Sequence, residues 1–166
     1  MELFRNRRLH IELKDYILPG GQKKQGVVAH PGDAVVILPS CGNSCRHLIR
    51  QYRFAVDSFI LEAPAGKMED GESPHDAAHR ELIEETGLQA AELIEKGWIY
   101  TTPGFSDEKL YLFEARGLIP SDAFARDEDE VIELVTYADA DLEAMCLDGR
   151  ISDAKTISII YRCLRG

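Results

Sequence analysis

The sequence predicts an α+β fold, a mixed β-sheet covered by helices, in one domain. Its 166 residues are typical of one domain with its own hydrophobic core. A composition of 45% hydrophobic and 29% charged residues is that of a folded globular protein. Strand patterns outnumber helical patterns, and the two do not alternate as in a regular βαβ series.

The first predicted strands form a small antiparallel sheet over residues 1–34, and the main part of the domain is predicted over residues 35–166. RLHIELKDYILP alternates apolar and polar residues, and the GGQ after it favours a turn. KKQGVVAHPGDAVVILP holds two apolar runs, separated by turn-forming residues 30–33. A sheet this small is marginally stable alone, so we expect it to pack against other structure, such as a second subunit.

The later elements are predicted from similar patterns. The expected strands are HLIRQYRFAV, FILEAPAG, GWIYTTPG, KLYLFEARGL and VIELVTYA. One helix is predicted near the middle of the chain, and two more are predicted over residues 139–147 and 153–164.

The central helix is predicted over residues 74–86 by signals at both ends. Ser73 is a favourable N-cap, Pro74 suits the first helical position, and Asp76 follows the cap at capping-box spacing. Gly87 stands where a left-handed residue commonly ends a helix.

Three glutamates share one face of this helix: Glu81, Glu84 and Glu85. Each like-charged pair at this spacing destabilises a helix by about 0.2–0.5 kcal/mol. The helix dipole also disfavours anions in the last turn. A solvated acidic face is one interpretation. The other is a site for a hard divalent cation, to which a backbone carbonyl of the preceding loop EAPAGKMEDGES contributes.

Charge and composition argue against several classes of partner. A formal net charge of −10 disfavours binding to nucleic acid or to an anionic membrane by broad attraction. We find neither a secretory signal nor an apolar stretch of membrane-spanning length, so we expect a cytoplasmic protein. The four cysteines are then expected to be reduced thiols. Cys41, Cys45 and His47 resemble half of a zinc site, but ordinary loop cysteines are favoured because a second cysteine pair is missing.

Residues 66–88 resemble the Nudix hydrolase signature. That pattern is Gly, five residues, Glu, seven residues, then Arg-Glu-apolar-any-Glu-Glu-any-Gly-apolar. The chain matches every fixed position, with Gly66, Glu72 and the run RELIEETGL from Arg80 to Leu88. The resemblance implies the Nudix fold, in which a mixed sheet is sandwiched between helices (α/β/α).

The resemblance also implies a site and a chemistry. Nudix proteins hydrolyse nucleoside diphosphates linked to another group, and they use divalent metals, here Mg²⁺ or Mn²⁺. Glu81, Glu85 and the carbonyl of Ala65 are implied as metal ligands. Glu84 is implied as a further ligand or a support for metal-bound water. Arg80 is implied to orient one of the glutamates, and Glu72 is implied to tie the loop to the helix.

Segments outside the signature resemble the ADP-ribose pyrophosphatase branch. They are RQYRF, LEAPAG, the tail DGRISDAKTI, and Pro103, which follows Leu88 by fifteen residues. The branch implies that Arg53 contacts the substrate phosphates, and Phe105 is the candidate aromatic residue near the ligand. It also implies a catalytic base from a loop outside the signature. The run RDEDEVIEL suggests Glu130, with Glu128 as the alternative.

The implied reaction is Mg²⁺-dependent hydrolysis of ADP-ribose to AMP and ribose 5-phosphate by a homodimer. Two alternatives remain open. One is a broader pyrophosphatase of nucleoside diphosphate sugars, such as GDP-mannose or UDP-sugars. The other is a sensor that binds ADP-ribose without cleaving it, which the complete set of glutamates disfavours.

Overall fold

The predicted α+β architecture is confirmed in a computed structural model that describes residues 1–42, 44–123 and 132–166. The helices are α1 (Pro74–Thr86), α2 (Asp139–Asp148) and α3 (Ala154–Arg165). The strands are β1 (Glu2–Arg5), β2 (His10–Ile17), β3 (Lys23–His30), β4 (Ala34–Pro39), β5 (Cys45–Arg53), β6 (Ser58–Glu62), β7 (Ala65–Lys67), β8 (Leu88–Tyr100), β9 (Lys109–Pro120) and β10 (Ile132–Ala138).

The described strands form three sheets. The central sheet has the order β7-β4-β9-β8, with β4 parallel to β9 and the other pairs antiparallel, so it is mixed as predicted. A second, antiparallel sheet has the order β10-β5-β6. The third is the small N-terminal sheet, in which β1 and β3 flank β2 in antiparallel pairs.

Strand β4 lies at the centre of the sandwich and is buried along its whole length. Because side chains alternate across a strand, its two faces contribute to different cores. Val35 and Ile37 pack with Leu82 of α1. Val36 and Leu38 belong to a second core, which includes residues of α2 and α3. Helices therefore cover both faces of the central sheet.

Helix α1 has the ends that the sequence predicts. The Ser73 hydroxyl accepts a hydrogen bond from the Asp76 amide at 3.2 Å. Gly87 has a φ of 72°, and its amide donates to the Ile83 carbonyl at 2.8 Å. A left-handed residue at this position is least strained as glycine. The two closing helices also lie within a residue of their predicted bounds.

The small N-terminal sheet packs on the loop between β8 and β9. The Ala29 amide donates to the Phe105 carbonyl at 2.7 Å, and His30 Nδ1 lies 2.6 Å from an oxygen of Asp107. The sequence analysis did not predict β1, whose ELFR segment is exposed throughout and so lacks a burial pattern. The division into parts at residue 34 stays a prediction.

One expectation about the cysteines is wrong. Cys41 and Cys45 are joined by a disulfide, whereas Cys146 and Cys163 are free. The pair lies across the connection between β4 and β5, where the Cys41 amide donates to the Cys45 carbonyl at 3.2 Å. The Cα atoms are 5.5 Å apart, a separation that a disulfide spans readily.

Within the described ranges, no helix combines the length and apolar character needed to cross a membrane.

Thr156 connects α3 to the loop that follows β6. Its buried hydroxyl accepts a hydrogen bond from the Ala63 amide at 2.7 Å and donates one to Asp153 at 2.6 Å. A Thr156→Val variant keeps the shape of the side chain but leaves the Ala63 amide unsatisfied. We expect it to lower the free energy of unfolding by about 1–3 kcal/mol.

Urea denaturation measures this change, with Thr156→Ser as the control because serine keeps the hydroxyl. A valine variant as stable as the serine variant would contradict the role assigned to this hydrogen bond.

Candidate functional site

Arg80 lies at the centre of a cluster of carboxylates on α1 and on the loop before it. Its guanidinium donates to both oxygens of Glu72 at 2.9 Å. It also donates to Glu81 at 2.6 Å and to Glu84 at 3.0 Å. A further bond, of 2.9 Å, reaches the carbonyl of Lys67. Arg80 therefore joins helix, loop and strand β7, and it offsets the repulsion among the glutamates.

The bidentate pair keeps both of its members charged. The hydrogen bond that Arg80 donates to Glu72 raises the pKa of Arg80 and lowers the pKa of Glu72. Glu72 also accepts a hydrogen bond from the Glu69 amide at 2.9 Å. The loop before α1 is thus fixed to the helix through Glu72, as the resemblance implied.

Glu81 and Glu85 lie nearly buried on the side of α1 that faces β7, with 9% and 5% of their surface exposed. The Ala65 amide donates to Glu85 at 2.9 Å. Gly66 leaves room for Glu81, since a Cβ atom on this residue would lie 1.9 Å from Glu81 Cδ. Any other residue at position 66 would displace the Glu81 carboxylate.

These residues line a cleft of about 460 Å³. Its walls combine the carboxylates of α1 with cationic side chains from three other parts of the chain: Arg8, Arg53 and Lys67. A second cleft of about 620 Å³ shares Arg53 and β7 with the first. It extends towards Thr101, Glu108 and Lys155. Because they share these residues, the two clefts adjoin, and side chains of both charges line them.

Arg53 is held at the boundary between the two clefts by Glu62. Its guanidinium donates to both oxygens of this buried carboxylate, at 2.7 and 2.9 Å. Lys155 forms a further ion pair with Glu62. Burial alone would raise the pKa of Glu62, but the bonds from Arg53 and the charge of Lys155 outweigh it, so the pKa is lowered. Glu62 therefore stays ionised and fixes both cations.

The comparison with known protein families identifies the family to which this chain belongs. The model of the NUDIX domain matches residues 30–157. The chain belongs to the Nudix family. The predicted family and fold are confirmed, as is the prediction of a hydrolase of this family.

Several relatives within the Nudix family resemble the chain over most of its length. An ADP-ribose pyrophosphatase of Bacillus subtilis (strain 168) is 35% identical over 157 residues, covering 93% of this chain and 84% of that protein. A methanol dehydrogenase activator of Bacillus methanolicus is 35% identical over 158 residues, covering 94% of this chain and 85% of that protein. A GDP-mannose pyrophosphatase of Yersinia enterocolitica is 32% identical over 166 residues, covering 92% of this chain and 85% of that protein.

A solved structure supports the same assignment. The crystal structure of an ADP compounds hydrolase superposes with a TM-score of 0.86 and is 26% identical in sequence. The match covers 98% of this chain and 88% of that one. It therefore includes the small N-terminal sheet as well as the residues of the Nudix domain.

The residues of the cleft fit the divalent metal that the Nudix family generally uses. Carboxylate oxygens are the ligands that Mg²⁺ and Mn²⁺ prefer, and Glu81, Glu84 and Glu85 all line one cleft. The space that Gly66 leaves beside Glu81 brings the backbone close to a carboxylate. Among the described residues, no group of three or more acidic, histidine or cysteine side chains is arranged to hold a metal ion as it stands. Arg80 donates to Glu81, and the Ala65 amide donates to Glu85.

The structure brings together most of the residues that the sequence analysis selected. Ala65, Glu81, Glu84 and Glu85 line the first cleft together with Arg80 and Arg53. Phe105 does not line either cleft, and its ring is exposed in the loop before β9. Glu128 and Glu130 lie outside the described residues.

Sequence reasoning missed two cationic residues of the cleft, Arg8 and Lys67. Arg8 lies in the turn between β1 and β2, far from the signature in sequence, so no local pattern marks it. Lys67 occupies a position that the Nudix signature leaves unspecified. Its ammonium group donates to the carbonyls of Arg8 and Pro31. Burial lowers the pKa of Lys67.

A Gly66→Ala variant tests the close approach of β7 to Glu81. The added methyl group would displace the Glu81 carboxylate, so we expect Mn²⁺ affinity to fall about 10–100-fold. Mn²⁺ binding followed by electron paramagnetic resonance measures the change.

Gly20→Ala is the matched control, because a methyl group there meets no atom within 4 Å. Unchanged Mn²⁺ affinity in Gly66→Ala would contradict a role for the Glu81 position in metal binding.

Proposed function

We propose that this Nudix protein hydrolyses the pyrophosphate bond of ADP-ribose to AMP and ribose 5-phosphate, with Mg²⁺ or Mn²⁺. The observation that carries the proposal is one cleft in which the carboxylates of α1 face Arg8, Arg53 and Lys67. The names of two similar proteins, an ADP-ribose pyrophosphatase and an ADP compounds hydrolase, support this choice of substrate.

The electrostatics of the cleft suit a dinucleotide-like pyrophosphate. The chain as a whole carries a formal charge of −10, which repels an anionic substrate. Cations placed at the cleft supply the local attraction that the whole chain lacks. Arg53 is suited to phosphate because its guanidinium is planar and Glu62 fixes its orientation. Arg8 and Lys67 extend the cationic wall towards the N-terminal sheet.

The metal is proposed to bind to Glu81, Glu85 and the carbonyl of Ala65, with Glu84 as a further ligand or as a support for bound water. A bound divalent cation neutralises phosphate charge and lowers the pKa of a coordinated water. Arg80 is proposed to hold Glu81 and Glu84 in place, since it bonds to both. Glu72 in turn fixes Arg80 from the loop side.

The catalytic base is proposed to be Glu130, with Glu128 as the alternative. Both precede β10 in an acidic run. Ile132, the first described residue after this run, pairs with Gln51 of β5, two residues before Arg53. A carboxylate would take the proton from the attacking water.

We further propose that the protein is a cytoplasmic homodimer that binds neither nucleic acid nor membranes. Several large apolar side chains are exposed on the N-terminal sheet, on β8 and in the loop between β8 and β9, as a subunit interface would require. They are Leu3, Phe4, Ile17, Val27, Trp98 and Phe105. Phe105 remains the candidate for stacking on adenine, because its ring is free to contact a ligand or a second subunit.

One alternative within the Nudix family has a specific observation in its favour. A GDP-mannose pyrophosphatase is 32% identical to the chain, so a broader activity on nucleoside diphosphate sugars is a second candidate function. The sensor that binds without cleavage is disfavoured by the complete set of glutamates in the cleft.

A substrate panel with Mg²⁺ tests the proposed function. We expect ADP-ribose to be cleaved with a higher kcat/KM than GDP-mannose or UDP-glucose, with AMP and ribose 5-phosphate as products identified by mass spectrometry. If GDP-mannose were cleaved with the higher kcat/KM, ADP-ribose would not be the preferred substrate, and GDP-mannose would take its place. Binding of ADP-ribose without AMP release would favour the sensor.

Two glutamine variants test the division of roles. Glu85→Gln should lower kcat by about 100-fold or more and weaken Mn²⁺ binding, because it removes a charged ligand. Glu130→Gln should lower kcat with Mn²⁺ affinity unchanged, because it removes only the base. Glu95→Gln, on an exposed part of β8, is the matched control.

Turnover and Mn²⁺ affinity are measured for all three variants. Full activity of Glu85→Gln would exclude it as a metal ligand, and an unchanged rate in Glu130→Gln would transfer the role of base to Glu128.

A further inference from the structure

The loop between β8 and β9 contributes to the wall of the second cleft. Thr101, Thr102 and Glu108 of this loop line the cleft. The loop is compact, because the Thr102 carbonyl accepts hydrogen bonds from the amides of Phe105 and Ser106 at 3.1 and 2.9 Å. The Thr101 amide also donates to the Glu108 carbonyl at 3.4 Å. We therefore expect a displacement of one part of the loop to move the residues that line the cleft.

Strand β3 of the N-terminal sheet holds this loop through a short stretch of backbone. The Ala29 amide donates to the Phe105 carbonyl at 2.7 Å, and the Asp107 amide donates to the Ala29 carbonyl at 3.4 Å. Among the described residues, these are the backbone hydrogen bonds that join β3 to the loop. Each such bond contributes only about 0.5–1.5 kcal/mol net, so a side-chain contact beside them changes how firmly the loop is held.

His30, the last residue of β3, makes such a contact. Its imidazole lies between two carboxylates. Nδ1 is 2.6 Å from an oxygen of Asp107 in the loop, and Nε2 is 3.4 Å from an oxygen of Glu12 on β2. The side chains of His30 and Glu12 are only 25% and 28% exposed, so water screens the attraction between them in part only.

The protonation state of His30 decides whether both contacts are hydrogen bonds. A neutral imidazole has one N–H donor and one acceptor nitrogen, whereas an imidazolium donates from both nitrogens. An ionised carboxylate only accepts, so a neutral His30 bonds to Asp107 or to Glu12 but not to both. A protonated His30 bonds to both, and its charge strengthens each bond. Histidine side chains ordinarily gain or lose this proton between about pH 5 and pH 8.

Other titratable and charged groups surround His30. His10 lies opposite it on β2, with the two ring centroids 5.1 Å apart. His10 Nε2 is 3.6 Å from an oxygen of Glu2 on β1, and Arg5 donates to the same carboxylate at 2.7 Å. Lys67 of β7 donates to the carbonyl of the residue after His30. Because Arg5 already offsets the charge of Glu2, the loss of a proton from His30 affects mainly the carboxylates of β2 and the loop.

We propose that His30 is a proton-dependent positioning residue of the second cleft. In its protonated form it links Glu12 of the N-terminal sheet to Asp107 of the loop, and so fixes the part of the cleft wall that the loop forms. The held loop binds this proton more tightly than the released loop, so the loop is held less firmly as the pH rises. The consequence for substrate binding rests on the proposed function, whereas the effect on the loop does not.

Hydrogen exchange followed by NMR on the full chain tests the effect on the loop without any substrate. The Ala29 and Asp107 amides exchange when the loop separates from β3, so their protection factors report how firmly it is held. At about pH 6 we expect these factors to be about 3- to 5-fold higher in the wild type than in His30→Gln, because glutamine is uncharged. The difference should disappear by about pH 9, where a neutral His30 also keeps only one of its two links.

Steady-state kinetics test the consequence for the substrate. At about pH 6, His30→Gln and Asp107→Asn should each raise KM for ADP-ribose about 3- to 5-fold with kcat unchanged, because they alter the cleft wall and not the carboxylates of α1. Both differences from the wild type should narrow as the pH rises. His47→Gln is the matched control, since His47 is bonded to Thr136 at 2.8 Å in another sheet and lines neither cleft.

Loss of the pH dependence in His30→Gln, but not in His47→Gln, would support the proposal. Equal effects of His30→Gln at low and high pH would show that its ring acts by packing, and would overturn the proton-dependent role. A pH dependence that persists in His30→Gln but disappears in His10→Gln would overturn the choice of histidine. Changed protection with unchanged KM would overturn the positioning role. If ADP-ribose is not cleaved, the proposed function fails, whereas the protection factors still decide the role of His30.

Discussion

The position of Arg80 is the constraint on which the cleft beside α1 depends. Like charges on one helical face repel, and two of the glutamates on α1 are nearly removed from water. A single guanidinium bonds to Glu72, Glu81 and Glu84. Its positive charge offsets the repulsion among these carboxylates, and its hydrogen bonds fix their positions. Its remaining bond, to the Lys67 carbonyl, carries the same arrangement into the central sheet.

Strand β4 gives the molecule its second organising feature. Because it is buried on both faces, one strand aligns α1 on one side with α2 and α3 on the other. It also separates two polar regions by its own length. The start of β4 pairs with β7 beside the carboxylates of α1, and its end opens into another cavity, of about 950 Å³, that begins at Ser40. Charged groups at these two ends are therefore held at a fixed distance by apolar packing between them.

Local signals in the sequence were sufficient for the helices. Ser73 and Gly87 mark α1 because caps act within a few residues, and the signature residues then place the glutamates on one face. Strand limits were harder to predict. Strand β8 begins directly after α1, well before the predicted segment GWIYTTPG. A register shift between Glu95 and Trp98, where Gly97 has a φ of 84°, breaks its alternation of apolar and polar residues.

Features that depend on tertiary contact could not be predicted. The disulfide between Cys41 and Cys45 depends on how closely the connection from β4 to β5 folds back. The expectation of reduced thiols was wrong because it rested only on the absence of a secretory signal. Arg8 reaches the cleft only because the N-terminal sheet folds onto the signature loop. The pairing of Arg53 with Glu62 likewise joins residues on neighbouring strands. The register of β5 and β6 places Arg53 opposite Ser58 and Glu62 opposite Ile49, so the strand pattern alone would not pair them.

Lys67 shows that a position left open by a sequence signature can still carry a structural connection. Its backbone carbonyl accepts from Arg80, and its side chain reaches the backbone of the N-terminal segment at Arg8 and Pro31. One residue therefore connects Arg80 of α1 to the segments that flank the strands of the N-terminal sheet. The glutamates of α1 are thus linked to the N-terminal segment by hydrogen bonds through a lysine and an arginine, and this link lies outside the hydrophobic core.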